Sequence, residues 1–74
     1  MMAAGSRTPI RNHIRALRFH HAEMTQQELA DRVGLTRQTI IAIEQGRYSP
    51  SLEAAFKIAR VFRAPLEEVF QYQE

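Results

Sequence analysis

Apolar residues recur along this chain at helical rather than strand spacing, and start and stop signals divide them into five segments. Thr8 and Pro9 are typical of an N-cap followed by proline in the first helical position, so a first helix is predicted to begin there. Its apolar stripe is expected at Ile10, Ile14 and Leu17. No segment shows the alternation of a strand, which favours an all-α fold.

Two short helices are predicted in the middle of the chain. Thr25 and Glu28 have the spacing of a capping box, and Gly34 follows where a left-handed cap would end the second helix. Thr36 is the expected N-cap of a third helix that stops at Gly46. The buried positions of this pair are expected to be Leu29, Ala30, Val33, Ile40 and Ile43.

Two more helices are predicted in the last third of the chain. Ser51 is the expected cap of a fourth helix, and Pro65 opens a short fifth one, after which residues 71–74 are expected to fray as a polar tail. The inner positions of these helices are expected to be Leu52, Ala55, Phe56, Ala59, Phe62, Leu66, Val69 and Phe70. Together the segments predict one domain over residues 8–74, preceded by a flexible arm over residues 1–7.

Composition changes this picture mainly by exclusion. At 74 residues, with 45% hydrophobic and 24% charged residues, the chain has the composition of a single folded domain. It has no cysteine, which excludes disulfides and cysteine-based zinc sites. His20 and His21 are adjacent and point about 100° apart on a helix, so no metal site or cofactor is expected. The apolar runs are too short for a membrane span or a secretory signal, and we expect a cytoplasmic protein.

Positive charge is concentrated in the first part of the chain. Residues 1–47 contain seven arginines and four acidic residues, whereas residues 48–74 contain three basic and four acidic ones. The N-terminal part is therefore better suited to an acidic partner. An enzyme is not expected, because there is no cysteine, no glycine-rich phosphate loop and no serine beside a plausible base.

The segment from Gln26 to Gln45 contains the most informative pattern. It consists of two short capped helices joined by a turn at Gly34, with the small Ala30 where the helices approach and Ile40 filling the angle between them. This arrangement predicts a helix-turn-helix.

Residues 24–62, MTQQELADRVGLTRQTIIAIEQGRYSPSLEAAFKIARVF, resemble the XRE family of phage Cro and repressor proteins and their bacterial relatives. The resemblance implies a compact five-helix lambda-repressor-like domain whose helix-turn-helix is formed by helices 2 and 3. It also implies a transcriptional regulator, a repressor, that binds double-stranded DNA sequence-specifically. Helix 3, residues 37–45, would then enter the major groove.

The same resemblance implies which residues read the bases. Arg37 and Gln38 are the expected readers, because arginine pairs bidentately with guanine and glutamine with adenine. Thr39 is expected near a base or a phosphate. Ile41 and Ala42 lie off the buried stripe and are further candidate base contacts. For Ile41 a thymine methyl contact and a partly covered peripheral position are both open. The alternative for Arg37 and Gln38 is that they are simply solvated residues of a first helical turn.

Phosphate contacts are expected from the elements that border the groove. Gln26 matches the family's phosphate-contacting glutamine at the start of helix 2, where free backbone N–H groups favour anions. Gln27 and Thr36 are further candidates, and Gln45 and Arg47 match positions that reach the other backbone strand.

The resemblance also implies an ion pair and leaves a choice of partners. Arg18 and Glu44 correspond to a structural pair between helix 1 and the end of helix 3, although the turn between Leu17 and Thr25 is one residue longer than usual. A homodimer, at least on DNA, is expected, with Val69, Phe70 and Tyr72 as candidate contacts. The alternative is an antitoxin or adaptor that uses the same fold to bind a toxin or another protein.

Overall fold

Helices predominate in the computed structural model, which describes residues 7–74. Its elements in chain order are β1 (Ile10–Asn12), α1 (Ile14–His20), α2 (Gln26–Val33), α3 (Arg37–Glu44), α4 (Leu52–Val61), α5 (Leu66–Val69) and β2 (Phe70–Tyr72). The flexible arm expected over residues 1–7 lies outside the described residues except for Arg7, which is exposed. None of the helices in the described part is long and apolar enough to cross a membrane.

The predicted starts of α2, α3 and α4 are confirmed. The Thr25 hydroxyl accepts a hydrogen bond from the backbone N–H of Glu28 at 3.0 Å, and the Glu28 carboxylate accepts one from the backbone N–H of Thr25 at 2.8 Å. Thr36 and Ser51 each accept a bond from the N–H three residues ahead, at 3.1 Å. Gly34 ends α2 at φ 75°, in the left-handed region that favours glycine.

The prediction of a first helix beginning at Thr8 and Pro9 is wrong, and so is an all-α fold without strands. Residues 10–12 form β1, which pairs antiparallel with β2 so that Ile10 lies opposite Tyr72. The helix α1 begins only at Ile14. A three-residue strand is too short to show a period, and its partner lies at the other end of the chain, so local signals favoured the helix.

The expectation that residues 71–74 fray as a polar tail is also wrong. Phe70–Tyr72 form β2, and the backbone N–H of Gln73 donates to the carbonyl of Pro9 at 2.7 Å. The backbone N–H of His13 donates to the carbonyl of Val69 at 2.9 Å. The two ends of the described chain are therefore held together by backbone hydrogen bonds.

The core lies between α1, α2, α3, α4 and α5. Its largest fully buried side chains are Ile14, Leu29, Ile40, Ile43, Ile58 and Val69. The core positions predicted for α2 and α3 are confirmed, including Ala30, which has no exposed surface. The packing of α2 against both α3 and α4 positions the helices on which the site depends.

The predicted inner face of α4 is only partly correct. Ala55, Ala59 and Phe62 are buried as expected, but Leu52 is 68% exposed and Phe56 49% exposed. Ile58, which the sequence pattern did not select, is completely buried. Apolar residues occur on more than one face of α4, so contacts with the other helices, not periodicity alone, decide which face is inside.

The longer turn between α1 and α2 is accommodated by left-handed backbone. Ala22 and Glu23 have φ values of 56° and 55°, a region that non-glycine residues seldom adopt. The turn brings Met24 back to α1, where its backbone N–H donates to the carbonyl of Arg18 at 2.9 Å and its side chain is 5% exposed. The extra residue therefore bulges outward without displacing Arg18.

Candidate nucleic-acid interface

The helix α3 presents one face to the core and the other to solvent. Its inner face is formed by Ile40 and Ile43. On the outer face Arg37 and Gln38 are exposed, and three further predicted base contacts are partly buried, namely Thr39, Ile41 and Ala42. The side chains at the start of the helix are thus the most accessible ones, as base reading requires.

A polar cleft of about 620 Å³ lies between the start of α2 and the outer face of α3, and we name it the α2–α3 cleft. Its lining residues are Arg15, Arg18, Glu23, Met24, Thr25, Gln26, Gln27, Arg37, Ile41, Glu44 and Gln45. The lining includes two predicted base contacts, Arg37 and Ile41. It also includes three predicted phosphate contacts, Gln26, Gln27 and Gln45. Arg15 also lines the cleft, and the sequence analysis assigns no role to this basic residue.

Five predicted contacts do not line this cleft, namely Gln38, Thr39, Ala42, Thr36 and Arg47. The hydroxyls of Thr36 and Thr39 lie 2.9 Å apart and share a hydrogen bond, so each is engaged within the cap of α3. The Arg47 Nε donates to the Gln45 side-chain oxygen at 2.8 Å just beyond the helix. The cleft therefore does not bring all of the predicted contacts together.

The Glu44 carboxylate joins three helices. It accepts hydrogen bonds from Arg18 Nε at 2.7 Å and Arg18 Nη2 at 3.1 Å, and from Gln26 Nε2 at 3.1 Å. Arg18 Nη1 also donates to the carbonyl of Met24 at 2.8 Å. The Arg18 and Glu44 side chains are only 14% and 9% exposed. Such a bidentate, partly buried pair fixes geometry more than it adds net stability.

The hydrogen bond to Glu44 has a consequence for Gln26. An amide nitrogen carries two hydrogens, so donation to Glu44 leaves one for another acceptor. Gln26 is also the first residue of α2, where backbone N–H groups have no intrahelical acceptor. Gln26 lines the α2–α3 cleft, so it brings both kinds of donor, which are suited to an anion, to the border of that cleft.

The end of α3 is held by an asparagine that sequence reasoning missed. Asn12 Nδ2 donates to the carbonyl of Ile43 at 2.9 Å, and Asn12 Oδ1 accepts from the backbone N–H of Ile14 at 3.1 Å. One side chain therefore satisfies a terminal carbonyl of α3 and a terminal N–H of α1. This role of Asn12 is not predicted from the sequence, because the sequence pattern places Asn12 inside the first helix.

Comparison with known proteins places these features in a family. A helix-turn-helix family model matches residues 14–69. An uncharacterized HTH-type transcriptional regulator from Methanothermobacter thermautotrophicus is 54% identical over 69 residues, which is 92% of this chain and 93% of that protein. The cryptic phage CTXphi transcriptional repressor RstR of Vibrio cholerae is 34% identical over 61 residues, covering 82% of this chain and 54% of that protein.

A solved structure from Bacteroides fragilis has the same fold. It superposes with a TM-score of 0.71 at 21% identity, covering 84% of this chain and 98% of that one. The fold and the cleft define a compact helix-turn-helix domain. The chain belongs to the XRE-type helix-turn-helix family, as the resemblance of residues 24–62 indicated.

The hydrogen bonds of the Glu44 carboxylate with Arg18 and Gln26 lead to a prediction about stability. In Glu44→Ala the Arg18 guanidinium stays partly buried without its counter-charge, and breaking such a pair costs about 3 kcal/mol. We expect the free energy of unfolding to fall by about this amount and the melting temperature by roughly 10 °C or more. Thermal and denaturant unfolding followed by circular dichroism measure both.

The matched control is Glu53→Ala, which also removes one carboxylate from an ion pair. Glu53 lies 3.2 Å from Lys57, but the two side chains are 79% and 53% exposed. We expect this substitution to cost at most about 0.5 kcal/mol. Equal effects of the two substitutions would show that the partly buried Glu44 pair stabilises the protein no more than an exposed ion pair does.

Proposed function

We propose that this protein is a transcriptional regulator, a repressor, that binds duplex DNA sequence-specifically with α3 in the major groove. In this proposal α2 and α3 are the helix-turn-helix of a five-helix domain. The observation that carries the proposal is the α2–α3 cleft, in which anion-binding donors at the start of α2 lie beside Arg37 and Ile41 of α3. Phosphate binding and base reading are thereby combined at one surface.

Base reading would be done by the outer face of α3. Arg37 and Gln38 are exposed at its first turn and have the chemistry to pair with guanine and with adenine. Ile41 offers an apolar contact to a thymine methyl group, with Thr39 and Ala42 beside it. Each bidentate pair contributes roughly 1–3 kcal/mol of discrimination against a wrong base.

Phosphate contacts would hold α3 in register. Gln26 and Gln27 supply donors at the start of α2, and Thr36 lies at the start of α3. Gln45 and Arg47 follow the end of α3 and would contact the other backbone strand. These contacts position the helix without reading sequence.

We further propose that the protein binds DNA as a homodimer. One α3 spans only a few base pairs, and a two-fold dimer reads two half-sites about 34 Å apart. Val69 is fully buried within the chain, so it is withdrawn as a contact residue. Phe70 is half-buried and Tyr72 is 68% exposed, and both lie on β2.

An apolar groove beside β2 is the surface that we assign to the second copy. It has a volume of about 290 Å³ and is lined by Ile10, Ser49, Pro50, Leu52, Ala55, Leu66 and Phe70. All of these residues are uncharged, so a two-fold contact, which places each surface against itself, brings no like charges together. Leu52 lines the groove and is 68% exposed, so it is available for contact with the second copy.

An antitoxin or adaptor role is not favoured, because relatives that cover most of the chain are named transcriptional regulators or repressors. Among the described residues no group of three side chains is arranged to hold a metal ion. We propose a cytoplasmic location, where a regulator of this kind has access to its DNA.

Selection from a random duplex pool at near-physiological salt tests base reading. We expect the wild type to enrich a palindromic motif, and Arg37→Ala plus Gln38→Ala to lose that motif because both readers are gone. Arg60→Ala removes the same charge from the exposed side of α4 and should enrich the wild-type motif. Failure of the wild type to enrich any motif would contradict the proposed function.

Cooperative binding to the selected palindrome tests the dimer surface. Leu52→Glu places a charge in each half of the proposed contact, so two-site binding should lose its cooperativity while binding to a single half-site is retained. Phe19→Glu, at a similarly exposed apolar residue on α1, should leave cooperativity unchanged. Undiminished cooperativity in Leu52→Glu would show that the copies meet elsewhere.

A further inference from the structure

The segment that precedes α1 is fixed beside the end of α3. The backbone N–H of Thr8 donates to the carbonyl of Gly46 at 2.8 Å, and Asn12 Nδ2 donates to the carbonyl of Ile43 at 2.9 Å. On the other side of this segment, the carbonyl of Pro9 accepts a hydrogen bond from the backbone N–H of Gln73 at 2.7 Å. Residues 8–12 therefore hold a defined position next to the residues that follow α3.

This attachment creates a second polar cleft, which we name the β1–α3 cleft. It has a volume of about 330 Å³ and is lined by Arg7, Thr8, Ile10, Arg11, Asn12, Glu44, Gln45, Gly46 and Gln73. The two clefts share Glu44 and Gln45, so the end of α3 is a ridge with one cleft on each side.

The charge of the β1–α3 cleft suits an anion. Arg7 and Arg11 are both exposed, and the one carboxylate in its lining, Glu44, is already paired with Arg18. Arg11 Nε donates to the Gln73 side-chain oxygen, which holds the guanidinium while its remaining N–H groups stay available. The planar guanidinium donates to phosphate in a bidentate manner.

The shape of duplex DNA connects the two clefts. The major groove is about 12 Å wide and has a phosphate backbone along each edge, so a ridge inserted into it has one backbone on either side. If the α2–α3 cleft borders one backbone, the β1–α3 cleft borders the other.

We infer that Arg7 and Arg11 form a phosphate clamp on the backbone opposite the start of α2. This inference rests on the proposed function and extends its DNA-binding surface to residues that lie outside the matched family segment, 14–69. The clamp holds DNA through its phosphates, so it adds affinity equally for all sequences.

Salt-dependent binding to the selected duplex and to an unrelated duplex tests the clamp. Each phosphate contact contributes about 0.9 to the slope of log K against log salt. We expect Arg7→Gln and Arg11→Gln each to make that negative slope shallower by about 0.9 and to weaken binding about five-fold at 0.15 M salt. The weakening should be the same for both duplexes and should vanish as salt approaches 1 M. Fluorescence anisotropy titrations provide these constants.

Three controls make the result specific. Arg60→Gln removes one exposed arginine from α4, outside both clefts, and should leave the slope unchanged. Arg11→Lys keeps the charge and should restore most of the slope, which a purely structural role beside Gln73 would not explain. All variants should keep the wild-type melting temperature, because both arginines are exposed.

The outcomes separate the inference from the function on which it rests. Wild-type slopes in both Arg7→Gln and Arg11→Gln, with sequence-specific binding by the wild type, would overturn the clamp alone. A loss confined to the selected duplex would also overturn it, because that result indicates base reading. Absence of sequence-specific binding by the wild type would instead overturn the proposed function.

Discussion

The site depends most on the carboxylate of Glu44. Glu44 is the last residue of α3, and its carboxylate accepts hydrogen bonds from Arg18 of α1 and Gln26 of α2. With 9% of the side chain exposed, a displaced carboxylate would lose its partners without being fully solvated. This interaction therefore sets the position of α3 against the start of α2, and with it the spacing between the proposed base-reading and phosphate-binding groups.

Backbone hydrogen bonds between the chain ends provide the second constraint. The pairing of β1 with β2 and the bond from Thr8 to Gly46 attach the N-terminal segment to the loop after α3. Asn12 adds a side-chain bond to the final turn of the same helix. The end of α3 is thus held by the ion pair of Glu44 and by the neutral hydrogen bonds of Thr8 and Asn12, and Arg11 lies within the attached segment.

Sequence reasoning predicted the features whose causes are local. The caps at Thr25, Thr36 and Ser51 and the left-handed Gly34 each depend on residues within a single helical turn, and all of them are present. The pairing of Arg18 with Glu44 was available only through the family resemblance, since the two residues lie 26 positions apart.

The features that sequence reasoning missed have distant causes. The local sequence at Pro9 predicts a helix start, because nothing within its own neighbourhood identifies β2 as a partner. The exposure of Leu52 and the burial of Ile58 follow from how α4 packs on the other helices. No local pattern distinguishes Arg15 and Arg11 from other arginines, and only the tertiary fold places them in the two clefts.

The most direct test of the central claim is a map of amide chemical shifts in the 15N-labelled protein as its selected duplex is added. We expect the largest changes at residues 26–27, 36–42 and 45–47, with small changes over the exposed side of α4. Changes concentrated on α4, with α3 unaffected, would contradict the assignment of α3 as the helix that reads DNA.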